Sequence, residues 1–312
     1  MAIRNGGTRH VISAQQFPPA LLDELFASAD EMGGRLVAAA PPLLPGLVMA
    51  TLFYEPSTRT RLSFESAMLR LGGQVVSTEN ARDFSSAIKG ETLEDTVRIV
   101  GGYADCIVLR HPEEGAAARA AAVSTVPVIN AGDGRGEHPT QALLDLYTIR
   151  AELGRLEELR VVMAGDLANG RTVHSLIRLL SQYRGLRVTL AGPAQLRLPE
   201  PAVRALRQSG AEVREADSLL EAVVDADVVY QTRIQAERLS GPLEEGGQGA
   251  ARFRVTKEVM AALPEGAVVM HPLPRVGEID PEVDSDPRAA YFRQARNGVP
   301  VRMALLARVL GK

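Results

Sequence analysis

Short aliphatic runs alternate with helix-periodic segments along almost the whole chain, and most of these runs end in a turn carrying Arg, His, Ser, Thr or Gln. Runs at 47–53, 75–76, 106–109, 126–130, 161–164, 188–191, 212–213, 228–231 and 268–270 read as strands. Apolar residues recur at helical spacing over 18–32, where Leu22, Leu25, Phe26 and Ala29 share a face, and over 58–71, where Phe64, Ala67, Met68 and Leu71 do. Further helices are expected at 91–100, 113–122, 138–153 and 287–311. Strands separated by helices imply βαβ units and a parallel sheet. At 312 residues the chain is long for one domain and comfortable for two. The expected fold is α/β: two doubly wound parallel-sheet domains joined by a bridging helix at 138–153, with the C-terminal helix packing back on the first domain. The glycine-rich stretch 240–250 reads as a mobile loop or an exposed linker.

Composition narrows the partners. Hydrophobic residues make up 46% of the chain but aromatics only 4%, with no Trp, so the core must be aliphatic. A net charge of −3 argues against a nucleic-acid partner, and any anion binding must come from local arrangement. The single cysteine, Cys106, excludes an intrachain disulfide and a cysteine-only metal site, and its apolar neighbours suggest an inert core thiol. No metal or cofactor is expected. No apolar run is long enough to span a membrane, and no leader-like segment opens the chain, so a cytoplasmic protein is expected. Arginine is the habitual cation here: only Lys89, Lys257 and Lys312 are lysines. Lys89, between Ile88 and Gly90, is either a specific need for a compact ammonium or a solvated loop lysine.

The turns after the strands carry the chemistry, since ligands of parallel α/β sheets bind outside the carboxyl ends of the strands. Residues 55–61, Glu55-Pro56-Ser57-Thr58-Arg59-Thr60-Arg61, follow the apolar run 47–53 and open a helix. Unpaired N–H groups at a helix start bind anions, Ser57 is a good N-cap type, and Arg59 offers a planar fork to phosphate oxygens. Taken alone, the turn reads equally as an ordinary capped helix with surface arginines. Arg110-His111-Pro112 follows 106–109, and Gly132-Asp133-Gly134 follows 126–130. His138 and Gln141 share a helix face behind Pro139, as a neutral hydrogen-bonding pair or as a capping histidine. Gly165, Gly170, Arg171 and Thr172 come one residue type short of a P-loop, with Arg171 where that loop has lysine. Thr232-Arg233-Ile234-Gln235 and His271-Pro272-Leu273-Pro274-Arg275 follow the last two runs. One phosphate cradle plus separated arginines suits a transferase handling a small phosphorylated substrate and a small carboxylate.

These motifs, in this order, closely resemble the aspartate carbamoyltransferase catalytic chains over essentially the full length. The resemblance implies a carbamoyl phosphate-binding domain at 1–137 plus 292–312 and an aspartate-binding domain at 138–291. It implies transfer of the carbamoyl group to the α-amino group of L-aspartate, an early step of pyrimidine biosynthesis. Ser57, Thr58, Arg59 and Thr60 would hold the phosphate. Thr60, Arg110 and His138 would meet the carbonyl oxygen, and Gln141 the carbamoyl nitrogen. Ser85 and Lys89 match loop residues that the family contributes from a neighbouring subunit of a homotrimer. Arg171 would take the α-carboxylate of aspartate, Arg233 and Gln235 the β-carboxylate. The carbonyls of Leu273 and Pro274 would orient the amine. Glu55 would pair with Arg171 and Arg238 as the domains close. A regulatory chain or a dihydroorotase is a partner type the resemblance leaves open.

Three other readings are kept, one of them a catalytically silent scaffold for other pyrimidine enzymes, against which the intact candidate residues argue. Ornithine carbamoyltransferases share the phosphate motif, but they typically have His-Cys-Leu-Pro where this chain has His271-Pro272-Leu273-Pro274, and a tryptophan motif that this chain lacks. A nucleotide-binding module would use Gly165–Thr172.

Overall fold

A computed structural model describes residues 10–37, 40–79, 90–234 and 251–312. The chain divides into two compact units, one running to Leu144 and including Asn297–Lys312, the other Asp145–Arg296. The first holds helices α1 (Pro19–Arg35), α2 (Thr58–Arg70), α3 (Leu93–Val100) and α4 (Ala116–Val123), and strands β1 (Val48–Phe53), β2 (Gln74–Glu79), β3 (Cys106–His111) and β4 (Val128–Asp133). Helix α5 (Pro139–Leu153) carries the chain into the second unit. There follow β5 (Arg160–Ala164), α6 (Arg171–Leu180), β6 (Arg187–Ala191), α7 (Glu200–Gln208), β7 (Glu212–Ala216), α8 (Leu219–Ala222), β8 (Val228–Gln231), α9 (Lys257–Ala262) and β9 (Val268–Met270). Helix α10 (Tyr291–Val309) returns to the first unit.

Both sheets are wholly parallel, in the order β2-β1-β3-β4 and β7-β6-β5-β8-β9. Each is therefore wound outward in two directions from a first strand, β1 or β5. Strands β1, β3, β4, β5 and β8 are buried along nearly their whole length, as expected when helices cover both faces of a sheet. The edge strands β2 and β7 are mostly exposed and carry Gln74, Ser77, Glu79, Glu212, Arg214 and Glu215, polar groups that blunt an otherwise open edge. This explains why the apolar signal reveals only 75–76 and 212–213 of them.

The first core is aliphatic: Ala50, Leu52, Ile107, Leu109 and Val128 of the sheet meet Leu93, Val97, Ala116 and Ala120 of α3 and α4. The second packs Val162, Val229 and Val269 against Leu219, Val259, Leu263 and Tyr291. Cys106 is fully buried, and burial, aided by the charge of Asp105, pushes its thiol pKa up to about 12, so it is inert at neutral pH. The tail of α10 seats on the first unit. Buried Arg302 lays its guanidinium 4.9 Å from the Phe64 ring centroid of α2, and Arg308 pairs with Glu24 of α1 at 3.0 Å.

The units part inside α5 and α10, whereas the sequence suggests boundaries at 137/138 and 291/292, around the starts of the same helices. The reason lies in two neighbouring residues. Leu144 lies against the Gly298 turn of α10, while the buried carboxylate of Asp145 accepts hydrogen bonds from Tyr230 and Gln294 of the second unit. His138 and Gln141 thus belong to the first unit.

Candidate active site

In the first unit the winding direction changes between β1 and β3, and the candidate residues come off these strands and β4 at their carboxyl ends. A crevice at such a switch point is where ligands of this architecture bind. Phe53 pairs in register with Arg110, and the Tyr54 N–H donates to the Arg110 carbonyl at 2.9 Å. The apolar pattern puts Arg110 and His111 beyond the strand. They are its last two residues, and this pairing fixes the root of the arginine. The Arg110 side chain donates from Nη1 to the Ala131 carbonyl of β4 at 3.2 Å and sets Nη2 at 3.4 Å from Glu55 Oε2. It therefore ties the loop after β1 to strand β4. Glu55 is thereby the carboxylate neighbour of Arg110.

Ser57 occupies the N-cap position of α2 in extended conformation, yet its side chain makes no cap hydrogen bond. The expected role of the hydroxyl as a cap is thus not observed, and the first-turn N–H groups of α2 are not claimed by it. Thr58 and Arg59 are exposed and Thr60 is buried. The two arginines of this turn differ. Arg61 pairs with Glu79 at 2.8 Å and Glu65 at 3.6 Å, so its charge is neutralised. Arg59 makes no ion pair among the described residues, and desolvation by the surrounding protein lowers its pKa from the ordinary arginine value. An arginine starts high enough to stay charged, so the helix start keeps a cation with no ion pair among the described residues.

His138 is buried and stands at the head of α5, its carbonyl accepting the Gln141 N–H at 3.0 Å. Asp133 at the end of β4 builds the loop that delivers it. Its Oδ1 accepts from the Glu137 N–H at 2.9 Å and Asn130 Nδ2 at 3.1 Å, and its Oδ2 accepts from the Gly115 N–H at 2.9 Å. His111 is buried, its Nδ1 accepts the Glu113 N–H at 3.1 Å, and burial lowers its pKa, so the ring is neutral.

In the second unit the switch point lies between β5 and β8, and Arg171 and Arg233 follow those two strands. Ala164 pairs with Gln231, and the Thr232 N–H and hydroxyl both donate to the Ala164 carbonyl, at 2.8 and 2.9 Å. Gly165 holds φ 101°, and a Cβ there would come within 2.2 Å of the Thr232 carbonyl oxygen. A Cβ on Gly170 would come within 2.5 Å of the Asp166 carbonyl oxygen. Both glycines of the near P-loop thus serve close backbone approach. The loop they bracket is filled by a fully buried carboxylate, Asp166, which takes the Asn169 N–H at 2.9 Å. A nucleotide phosphate would meet negative charge there, so the nucleotide-binding reading fails on its own residues.

Beyond β9 the chain forms a tightly bonded loop. Leu273 adopts φ 53°, rare for a residue with a side chain, and the Leu273–Pro274 peptide is cis. The Leu273 N–H donates to His271 Nδ1 at 2.7 Å, and His271 Nε2 lies 2.7 Å from Glu278 Oε1. An accepting Nδ1 carries no proton, so Nε2–H donates to the carboxylate. Burial alone would raise the pKa of Glu278. The bonds from His271 and the Val276 N–H outweigh it and leave the pKa below the usual carboxylate value. The loop is also held from outside. Arg275 forms a bidentate pair with Asp284, joined by the Tyr291 hydroxyl, and lies 5.4 and 5.6 Å from the ring centroids of Tyr291 and Phe292.

Arg59, Thr60, Arg110, His138 and Gln141 are thus carried by loops at one edge of the first sheet, with Ser57 and Thr58. Arg171, Arg233, Leu273 and Pro274 are carried at the corresponding edge of the second. Ser85, Lys89, Gln235 and Arg238 lie outside the described residues. Among the described residues, no three His, Cys, Asp or Glu stand where they could share a metal ion. Sequence reasoning missed the supporting acids Glu278 and Asp145. Neither sits in a periodic or motif-like context, and only the fold brings each to its partners.

Residues 9–151 match the aspartate/ornithine carbamoyltransferase carbamoyl-P binding domain, and residues 157–309 match the Asp/Orn binding domain of the same family. A chloroplastic aspartate carbamoyltransferase of Oryza sativa subsp. japonica is 53% identical over 306 residues, 96% of this chain and 84% of the relative. The catalytic subunit of M. jannaschii aspartate transcarbamoylase superposes with a TM-score of 0.91 at 45% identity, covering 97% of this chain and 98% of that one. Aspartate transcarbamoylase from Trypanosoma cruzi gives 0.90 at 41% identity, covering 96% and 94%. It has been solved with N-(phosphonacetyl)-L-aspartic acid, with carbamoyl phosphate, and with carbamoyl aspartate and phosphate.

Proposed function

The chain belongs to the aspartate/ornithine carbamoyltransferase family, and from that premise we propose its reaction and the part each residue plays. The enzyme is an aspartate carbamoyltransferase: it moves the carbamoyl group of carbamoyl phosphate to the α-amino group of L-aspartate, releasing phosphate and N-carbamoyl-L-aspartate. In our reading the deprotonated amine attacks the carbamoyl carbon, so a C–N bond forms. The C–O bond to phosphate then breaks, and the departing phosphate accepts the amine proton. Negative charge developing on the carbonyl oxygen is met by Thr60, Arg110 and His138, while Gln141 holds the carbamoyl nitrogen. Arg59, Ser57, Thr58 and the start of α2 take the phosphate. Arg171 and Arg233 take the two carboxylates of aspartate, with Gln235 on the β-carboxylate. The carbonyls of Leu273 and Pro274 orient the amine. Fixed donors aimed at developing charge lower the barrier without reorganising during the reaction.

One observation supports this reading most: Arg59, at the first turn of α2, makes no ion pair among the described residues, while Arg110, rooted in the neighbouring strand, has Glu55 against it. A cation added to a helix start suits an anionic ligand. The test offers purified protein carbamoyl phosphate with aspartate and ornithine side by side. Carbamoyl aspartate is expected. Citrulline as the main product would overturn the assignment.

The position of Lys89 carries a further reading: Ser85 and Lys89 reach the site of a neighbouring subunit in a homotrimer. Lys89→Ala and Arg110→Ala subunits, each inactive alone, are then expected to regain activity when mixed, because some interfaces recover both residues. Hybrid trimers with no recovery would sink the shared site.

A further inference from the structure

The loop His271–Glu278 contains a hydrogen-bond relay that the reaction scheme above does not use. Glu278 Oε1 accepts His271 Nε2–H at 2.7 Å, and its Oε2 accepts the Val276 N–H at 2.8 Å. On the other side of the ring, Nδ1 accepts the Leu273 N–H at 2.7 Å. Behind it, the His271 N–H donates to Gln294 Oε1 at 2.8 Å, and Gln294 Nε2 donates to Asp145 Oδ1 at 2.6 Å. Asp145 Oδ2 accepts the Tyr230 hydroxyl at 2.7 Å. His271, Glu278, Gln294, Asp145 and Tyr230 are all buried.

A neutral imidazole has one proton and two places for it. Left alone, it can carry that proton on Nδ1, where it would confront the Leu273 N–H donor to donor. A carboxylate on Nε2 removes the choice. Leu273 sits at φ 53°, a conformation that persists in a residue with a side chain only when its surroundings over-determine it. With its N–H bonded and its φ fixed, the Leu273 carbonyl can turn only through ψ, which the following proline restricts in its turn. We propose that Glu278 is a positioning residue for the nucleophile: acting through the tautomer of His271, it holds the Leu273 carbonyl on the line where the amine of aspartate must sit.

This inference rests on the reading that the Leu273 carbonyl orients the aspartate amine. It goes further in assigning the acid that sets that carbonyl. Glutamine at 278 cannot replace it. Its amide oxygen serves either His271 or Val276, and its NH2 then faces the other group, driving the ring proton to Nδ1 or confronting the Val276 N–H.

The experiment compares wild type, Glu278→Gln, His271→Asn and the double variant in steady-state kinetics with aspartate. Calorimetric titration of each with inorganic phosphate reads the first unit. Misplacement of a reactant by about 1 Å costs up to ~10²-fold, so Glu278→Gln is expected to lower kcat/KM for aspartate roughly ten- to a hundredfold. Phosphate affinity is expected to stay within about twofold of wild type, which a general loss of structure would not allow. In the His271→Asn background the Glu278 change is expected to add less than about twofold, because the acid acts through the ring. A second pair avoids Glu278 altogether. Asparagine at 271 can place an oxygen near the position of Nδ1, whereas glutamine cannot, so His271→Gln is expected to fall below His271→Asn. The proposal is overturned by a Glu278→Gln enzyme within twofold of wild type for aspartate, by independent losses that multiply in the double variant, or by equal activity of the two His271 variants. Wild type that forms no carbamoyl aspartate would instead remove the underlying reading, so the two failures are distinguishable.

Discussion

The two units solve the same topological problem with different chemistry. Each winds outward from one strand, β1 or β5, and each sets two arginines where the winding direction changes. In the first unit the site rests on a helix start: the N–H groups of α2, Arg59, which makes no ion pair among the described residues, and Arg110 rooted in β3. In the second it rests on a backbone loop held by His271 and Glu278, in the unit that also carries Arg171 and Arg233. A helix start offers only donors and suits a group that is all acceptor, such as phosphate. A carbonyl loop offers acceptors and suits an amine. The common fold fixes where a ligand sits. The local choice between N–H and C=O decides which half of the reaction each unit serves.

Removing Arg59 is the strongest way to break that division. Loss of one preorganised donor to developing charge costs ~10²–10³ in turnover, and Arg59→Ala is expected to lose at least that much. Its phosphate affinity should fall while aspartate carboxylates still find Arg233. Lysine at 59 is expected to restore only part of the loss, since a point charge lacks the planar fork. Isothermal titration with phosphate and stopped-time product assays measure both. Arg59→Ala with normal phosphate affinity would contradict the division.

The mirror change is smaller. Arg233→Ala removes one charge-assisted bond to a substrate carboxylate, worth about 1.5–3 kcal/mol, so kcat/KM for aspartate is expected to drop roughly ten- to a hundredfold. Phosphate affinity in the first unit should not move. Equal damage to both ligands would mean that the units do not divide the substrates.

Much of this was legible in the residues, and the failures share a cause. Strands β1, β3, β4, β5, β6, β8 and β9 announce themselves as aliphatic runs because they are buried, the outermost β4 and β9 included. The opposite edge strands, β2 and β7, hide behind Gln, Ser, Glu and Arg, because they face water. Arg59 and Arg61 look alike in the chain, and only the contacts with Glu65 and Glu79 balance the charge of Arg61, while Arg59 makes no ion pair among the described residues. The near P-loop misleads for the same reason: glycines at 165 and 170 record close backbone approach, which no local pattern distinguishes from a phosphate cradle.

Gly165 tests that point through stability. Gly165→Ala combines a left-handed φ of 101° with a contact of 2.2 Å to the Thr232 carbonyl. The conformation alone costs about 1–2 kcal/mol, so a total loss of at least ~2 kcal/mol is expected from urea unfolding. Gly115 of the first unit is the control. It has φ 79°, and a Cβ there would meet nothing within 4 Å, so Gly115→Ala should show the conformational cost alone. Equal losses at the two sites would mean that the loop at 165 yields freely and that its glycine has another purpose.

The smallest effect concerns the acid sensitivity of the first unit. His111 is held neutral by burial. Glu113, Glu55 and Asp133 pull its pKa upward and Arg119 pulls it downward, and the net shift is downward. An unfolded histidine titrates near 6.5. Between that value and the lower folded one, the unfolded chain binds the extra proton, so His111 contributes stability above ~6.5 that is lost as pH falls. One proton limits the slope to about 1.4 kcal/mol per pH unit. His111→Asn keeps an oxygen near the position of Nδ1 for the Glu113 N–H but cannot titrate. Urea midpoints taken between pH 7.5 and 5.5 are expected to fall less steeply in that variant than in wild type. A His111→Asn protein whose midpoint tracks wild type across this range would place the acid sensitivity of the first unit elsewhere.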